Sequence, residues 1–384
     1  MKKILIILMF LIAYGSLYPF DFSMPVMKSD MEISVFFATL AGYSKGDLLQ
    51  NVLLFLPFGF IGPFLRSSSG KKLPDFVYVV VFLSFGFMFA IFVQILQIYV
   101  PSRVPGLGDS LVNLVGSIVG YIGGLIFKKH AESVHTELRA SDIFIMVLLS
   151  SWVSYKLFPF IPTFDWQNMK DSLKPLLLNP DFEILSFVGN TISVYLIGYL
   201  FHKSSMKQPT LYYVFFVYIV LGLQVFFIDV DVSINEVLGA IVAMILWFGS
   251  ATYVKAHHAL LVCLFTAMLV FYFLYPFEWL MHYHTFSFIP FSGFLNGSIE
   301  QNFFNLFLKI FLYGGLLKIL WDIPLKPFTA LMAAGFIVGG IEFLQIFMSA
   351  EHTPEITDPL LVVIIYYLTP KTNQIIRFAP KTSA

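Results

Sequence analysis

The stretch Gln94–Gly120, QILQIYVPSRVPGLGDSLVNLVGSIVG, joins the end of one apolar segment to the beginning of the next. Gln94 and Gln97 are three residues apart near the end of the first segment, so they share one face of a helix. A short loop containing proline and glycine follows, and Asp109 then precedes a second apolar segment that carries Asn113. This order predicts two membrane helices whose polar side chains meet at one surface of the membrane.

The composition is that of a membrane protein. The chain is 58% hydrophobic and only 12% charged, whereas soluble domains have about 25% charged residues. Its net charge is zero, so we expect no nucleic-acid partner, and Cys263 is the single cysteine, which excludes a disulfide framework and a cysteine-based metal site. The sequence predicts no metal site and no cofactor, and the lipid bilayer is the expected partner.

Apolar runs predict an all-α polytopic protein with about twelve transmembrane helices in three groups of four. The predicted spans are 4–20, 50–66, 76–100 and 110–127; 142–160, 183–202, 210–228 and 234–251; and 257–276, 301–320, 327–349 and 356–369. Spans 234–251 and 356–369 are short for a ~30 Å hydrocarbon core, so a re-entrant segment is the alternative there. The N-terminal span also resembles a signal peptide, but we favour a retained helix because its Tyr-Pro-Phe ending recurs later.

The loop charges predict the orientation. Lysine and arginine collect in alternate loops, which the positive-inside rule assigns to the cytoplasm. These loops contain Lys2, Arg66, Lys128, Lys203, Lys255, Lys318 and Lys371. We therefore predict a multi-pass protein of the bacterial cytoplasmic (inner) membrane with both termini in the cytoplasm.

Self-comparison of the sequence predicts a triplication. The first helix of each group ends in an aromatic-Pro-Phe segment, the second opens at an Asn, the third ends in Leu-Gln, and an Asp precedes the fourth. In chain order these residues are Pro19, Asn51, Gln97 and Asp109; Pro159, Asn190, Gln224 and Asp231; and Pro276, Asn305, Gln345 and Asp358. Because each group has four spans, the three units are parallel repeats, with boundaries 1–130, 141–253 and 257–370 and a cytoplasmic tail at 371–384.

The recurring polar residues lie at the outer ends of the predicted helices, which suggests a polar pocket in each unit, suited to a lipid head group. The candidate binding residues are Asn51, Gln94, Gln97, Arg103, Asp109, Asn113, Lys309, Glu342, Gln345 and Asp358. Simpler roles remain open, because aspartates cap helices and amide side chains join membrane helices without binding a ligand. Lys309 and Glu342 should lie at similar depth, so we predict that they form an ion pair.

Three motifs resemble the VanZ-like family: NVLLFLPFGFIGPFL, a helix ending in QILQIYVPSR, and GDSLVNLVGSIVGYIGG. The resemblance covers residues 18–124 well, with Gln94 where the family usually has Glu. The third unit matches through IEFLQIF and Asp358 but has Val362 in place of the family's Asn, and the second unit is degenerate.

The resemblance implies a cell-envelope role related to teicoplanin resistance. The expected function is non-enzymatic binding of an amphiphilic envelope molecule, such as a lipid-linked cell-wall intermediate or a glycopeptide, at the outer leaflet. A membrane enzyme acting on a lipid-linked saccharide or phosphate is the alternative, and a transporter is the second alternative.

Overall fold

The computed structural model describes residues 2–23, 45–65, 74–103, 105–133, 138–256, 258–293, 299–323, 326–350, 354–369 and 375–376. Within these ranges the chain forms thirteen helices and four short strands. The helices are α1 (Lys2–Leu17), α2 (Lys45–Leu65), α3 (Asp75–Gln97), α4 (Leu107–Ser133), α5 (Ala140–Leu157), α6 (Trp166–Leu177), α7 (Ile184–Lys203), α8 (Pro209–Gln224), α9 (Ile234–Ala256), α10 (His258–Leu274), α11 (Ile299–Trp321), α12 (Pro327–Gln345) and α13 (Thr357–Leu368). The strands are β1 (Leu138–Arg139), β2 (Pro276–Trp279), β3 (Met348–Ala350) and β4 (Ile375–Ile376), paired antiparallel as β1–β4 and β2–β3.

A helix lies at each of the twelve predicted positions, and the ends differ by a few residues. By length and composition, five helices in the described part can cross a membrane: α3, α4 as far as Lys129, α7, α11 from Asn302, and α12. Six others are apolar but shorter, so the number of spans stays a prediction. Most of the predicted tail, 371–384, lies outside the described residues.

Helix α6 was not predicted from the sequence. Its residues, WQNMKDSLKPLL, mix apolar and polar side chains over only 12 positions, and the search for long apolar runs misses such a segment. Asp165 begins the helix as its N-cap, with a carboxylate oxygen accepting a hydrogen bond from the Gln167 N–H at 3.3 Å. Exposed Trp166 and Leu177 lie near its two ends.

The chain divides into two compact units: Met1–Glu137 with Arg377–Ala384, and Leu138–Ile376. We call them the N-terminal and C-terminal units. The predicted first domain, 1–130, falls in the N-terminal unit, and the predicted second and third domains both fall in the C-terminal unit. In that unit a single apolar core includes buried Trp152 on α5, Tyr199 on α7 and Tyr313 on α11.

Glycines bring α2 and α4 into backbone contact in the N-terminal unit. A Cβ atom added at Gly59 would lie 2.0 Å from the carbonyl oxygen of Ser117, and one at Gly120 would lie 2.1 Å from that of Leu56. Only a residue without a side chain fits at such positions. This close packing of small residues is typical of helix pairs in membranes.

Large apolar side chains cover the outside of the helices. Phe76 and Met88 on α3 and Phe336 on α12 are 79%, 63% and 82% exposed. Exposed apolar surface of this extent marks contact with a membrane or with another protein. Together with the five long apolar helices, it makes the chain a helical membrane protein.

Candidate functional site

The three aromatic-Pro-Phe segments have the same local conformation. In each, the peptide bond before proline is cis and the following phenylalanine is left-handed. The φ angles are 65° at Phe20, 63° at Phe160 and 65° at Phe277. Positive φ is rare for a bulky residue, so its recurrence at three matching sequence positions marks a shared structural element.

The same backbone hydrogen bond follows all three segments. The donor is the N–H four residues after the proline, and the acceptor is the carbonyl two residues after the glutamine that ends the third helix of the group. The bonds are Ser23 to Tyr99 (2.9 Å), Thr163 to Phe226 (2.8 Å) and Leu280 to Phe347 (3.0 Å). Each segment is thus fixed against the end of α3, α8 or α12.

Two of the three glutamines also make the same side-chain bond. The Gln97 Nε2 donates to the carbonyl of Ser16 at 2.7 Å, and the Gln345 Nε2 donates to that of Phe273 at 3.1 Å. Both acceptors precede the aromatic residue of the segment by two positions. The glutamines therefore satisfy carbonyl groups at the C-terminal ends of α1 and α10, where helices leave unpaired acceptors.

Gln97 gives a direct test of this role. We expect Gln97→Leu to lower the free energy of unfolding by about 0.5–1 kcal/mol, because one interhelical hydrogen bond is lost in an apolar setting. Denaturant titration of the purified protein in mixed micelles measures the change. Ile95→Leu, at an exposed position two residues away, is the matched control and should behave as wild type. Equal stability of Gln97→Leu and wild type would contradict the assignment.

Gln94 and Arg103 are occupied within the N-terminal unit. The Gln94 Oε1 accepts from the N–H of Gly106 at 2.9 Å, and its side chain is buried. The Arg103 Nε donates to the carbonyl of Tyr18 at 2.7 Å. Both side chains therefore order the loop before α4 and the end of α1.

Asn51, Asp109 and Asn113 connect α2 to α4. The Asn51 Nδ2 donates to an Asp109 carboxylate oxygen at 3.0 Å. Asn113, one turn further along α4, is 3% exposed, and its Oδ1 has no hydrogen-bond partner in the described part of the chain. The Ser110 hydroxyl is also buried without a hydrogen-bond partner among the described residues. The N-terminal unit thus holds buried polar groups that are free to accept a hydrogen bond.

The prediction that Lys309 pairs with Glu342 is wrong, because the partner of Lys309 is Asp358. The Lys309 Nζ lies 2.7 Å from a carboxylate oxygen of Asp358, and the other oxygen accepts from the Tyr313 hydroxyl. The Glu342 Oε2 accepts from the N–H of Glu355 at 2.7 Å. Glu342 is engaged by the backbone that leads into α13, whereas Asp358, in the first turn of α13, is the partner of the lysine.

These residues form one buried cluster in the C-terminal unit. Glu342, Glu355 and Asp358 are 3%, 8% and 0% exposed, and Glu342 lies within side-chain hydrogen-bonding reach of Asp358. Gln345, one turn after Glu342, is fully buried and its Oε1 has no partner among the described residues. Lys309, Glu342 and Asp358 thus connect α11, α12 and the segment that begins α13.

The sequence analysis missed Lys156 and Glu236. The Lys156 Nζ, at the end of α5, contacts a Glu236 carboxylate oxygen and lies 2.6 Å from the Asn190 Oδ1. Glu236 lies in the first turn of α9, twelve residues after Gln224, which is the spacing that separates Asp109 from Gln97. That spacing was the available signal.

The sequence analysis instead matched Asp231 to Asp109, and Asn235 to Asn113, of the first unit. Asp231 precedes α9, which begins at Ile234, and burial, followed by repulsion from Asp229, raises its pKa. The Asn235 Nδ2 donates to the carbonyl of Asp181 at 3.0 Å. Asn235 therefore stabilises the loop before α7 and takes no part in the Lys156–Glu236 ion pair.

The expected outward-open polar pockets are not seen among the described residues. Gln94, Gln97, Asn113, Glu342, Gln345 and Asp358 are buried against neighbouring groups. A groove of about 530 Å³ lies elsewhere and is lined by Phe201, Met206, Lys207, Tyr212, Phe215, Phe216 and Ile219. The ten predicted residues divide into six in the N-terminal unit and four in the C-terminal unit.

Comparison with known families confirms the resemblance for the N-terminal region. The family model described as VanZ/LLP1 matches residues 4–129, about a third of the chain. This range includes the six candidate residues of the N-terminal unit. Comparison with curated proteins and with solved structures finds no match. The chain is therefore a helical membrane protein whose residues 4–129 match the VanZ/LLP1 family model.

Proposed function

We propose that this chain is a cell-envelope protein of the bacterial inner membrane that binds an amphiphilic envelope molecule, or a glycopeptide of the teicoplanin type, at the outer leaflet. The observation that carries the proposal is the presence of buried acceptors without partners beside the polar clusters. Asn113 Oδ1 and Gln345 Oε1 are such acceptors in the described part of the two units. Buried polar atoms are rarely left unpaired, so these atoms suit a ligand that donates hydrogen bonds.

We propose further that the chain contains three VanZ-like repeats with both termini in the cytoplasm. The recurring left-handed phenylalanines and the matched backbone bonds at Ser23, Thr163 and Leu280 support this organisation. The shared bonds of Gln97 and Gln345 support it for the first and third repeats. In this arrangement the aromatic-Pro-Phe ends face the outside, as the distribution of lysines predicts.

Teicoplanin binding to the purified full chain in lipid nanodiscs tests the proposal. We expect saturable binding to the wild type and binding at least about tenfold weaker in Asp109→Ala, because Asp109 binds Asn51 and lies one turn before Asn113, whose Oδ1 has no partner among the described residues. Leu223→Met, at an exposed position on α8, is the control and should bind as wild type does. Absence of saturable binding by a correctly folded wild type would contradict the glycopeptide form of the proposal.

An enzyme acting on a lipid-linked saccharide or phosphate is the second candidate. The contact of Lys309 and Tyr313 with Asp358, next to Glu342, favours it because an acid, a base and a cation lie within one cluster. Mass spectrometry of the recovered ligand separates the two functions. If the chain only binds the ligand, the recovered ligand has an unchanged mass. If the chain is an enzyme, a product of different mass is recovered, and Glu342→Gln does not form it.

A further inference from the structure

The cluster around Lys156 contains two adjacent acceptors that nothing in the described part of the chain satisfies. The Gln224 Nε2 lies 3.5 Å from the Glu236 Oε1, so the two side chains are neighbours. The remaining oxygens, Gln224 Oε1 and Glu236 Oε2, are buried and have no partner among the described residues. Gln224 is 1% exposed, and the Lys156 ammonium is already engaged by Asn190 and by the other oxygen of Glu236.

We propose that Gln224 and Glu236 form a binding site for a primary ammonium group, carried by the head group of an amphiphile. A primary ammonium has three N–H donors, so it pairs with the carboxylate oxygen and the amide oxygen at once. Hydrogen bonds to a charged group are among the stronger ones. Glu236 has 13% of its side chain exposed, so the site lies close to the protein surface.

The surroundings of the site attract positive charge. Asp231 lies near Asp229, Glu236 and Asp171, and burial, followed by repulsion from these carboxylates, raises the pKa of Asp231. A field that opposes a further negative charge favours a cation at the same place. Lys156 pairs with Glu236, Lys174 pairs with Asp171 at 2.5 Å, and Lys170 also lies near Asp171. The four acids therefore still outnumber the three lysines.

This inference deepens the proposed function and rests on it for the amphiphilic nature of the ligand. Its site lies outside residues 4–129, the range matched by the VanZ/LLP1 family model. It adds a chemical class of ligand and a site in the middle of the chain, where the sequence motif is degenerate. The two proposals fail separately, because teicoplanin binding is tested through Asp109 and ammonium binding is tested through Gln224.

Native mass spectrometry of the full chain, released from nanodiscs that contain equal amounts of two lipids, tests the site. One lipid is phosphatidylethanolamine, and the other is phosphatidylcholine, whose quaternary nitrogen is charged but has no N–H donor. We expect the wild type to retain about tenfold more of the ethanolamine lipid. Gln224→Met, which removes one acceptor at nearly constant volume, should reduce this preference about fivefold to tenfold. Leu223→Met is the matched control and should keep the preference.

Thermal unfolding of the same variants excludes a purely structural role. Because Gln224→Met removes a buried unpaired oxygen, its melting temperature without the ethanolamine lipid should equal or exceed that of the wild type. If free ethanolamine displaces the ethanolamine lipid, the amine alone is sufficient for binding. If it does not, binding requires the whole lipid. Both results support the site. No preference for the ethanolamine lipid in the wild type, or an equal preference in Gln224→Met, would overturn the proposal.

Discussion

Asp358→Asn should lower the free energy of unfolding by about 3–5 kcal/mol, the largest effect that we expect from a single substitution. Asp358 is fully buried and accepts from both Lys309 and Tyr313. Asparagine has nearly the same shape but no charge, so the ammonium of Lys309 would lose its direct counter-ion in a low-dielectric setting. Removing one partner of a buried ion pair costs this much because the other charge is left uncompensated. Denaturant titration in mixed micelles measures the loss.

The double variant Lys309→Met/Asp358→Asn separates the ion pair from other effects. Removing both charges should restore most of the stability, since a buried pair and its apolar replacement are often close in energy. Asp171→Asn on α6 is the matched surface control. It breaks the Lys174–Asp171 contact, in which both side chains are about half exposed, and should cause no measurable change. A double variant as unstable as Asp358→Asn would contradict a direct Lys309–Asp358 pair.

Gly120→Ala should destabilise the N-terminal unit by about 2–3 kcal/mol. Its Cβ atom would lie 2.1 Å from the carbonyl oxygen of Leu56 on α2. Backbone cannot yield as a flexible side chain does, so α2 and α4 would have to separate, and overpacking of this kind is costly. Thermal unfolding of the purified protein measures the effect.

Gly123→Ala provides the control on the same helix. The nearest atom to its added Cβ is a ring carbon of Phe60 at 3.8 Å, which is an ordinary contact. Because alanine favours the helix more than glycine does, we expect stability equal to or above that of the wild type. Similar losses in the two variants would contradict the close packing of α2 on α4.

Sequence reasoning located the helices well because long apolar runs decide where a chain can enter a membrane. It missed α6 because this helix has only a short amphipathic stripe and a proline at position 175. The VanZ-like resemblance, quoted on residues 18–124, is confirmed by the match over 4–129. In the second unit the sequence analysis matched Asp231, rather than Glu236, to Asp109 and Asp358. It did so because an Asp before an apolar run was the expected pattern.

The polar contacts were harder to predict than the helices. Rise per residue predicts a similar depth for Lys309 and Glu342, but a similar depth does not establish that the two side chains pair. The choice of partner depends on helix rotation and on which acid the connecting backbone occupies, here Glu342 through the N–H of Glu355. Lys156 and Glu236 are 80 residues apart in the chain, and no local pattern relates them. Distant pairs of this kind follow from tertiary packing.

Teicoplanin tolerance of bacterial cells tests the central claim most directly. Cells would express the wild type, Asp109→Ala or Glu342→Gln, with membrane levels of each protein quantified. A role of the outer polar clusters in handling an envelope amphiphile predicts raised tolerance with the wild type and loss of that tolerance in both variants at equal abundance. Unchanged susceptibility in cells that contain abundant, folded wild-type protein would contradict it.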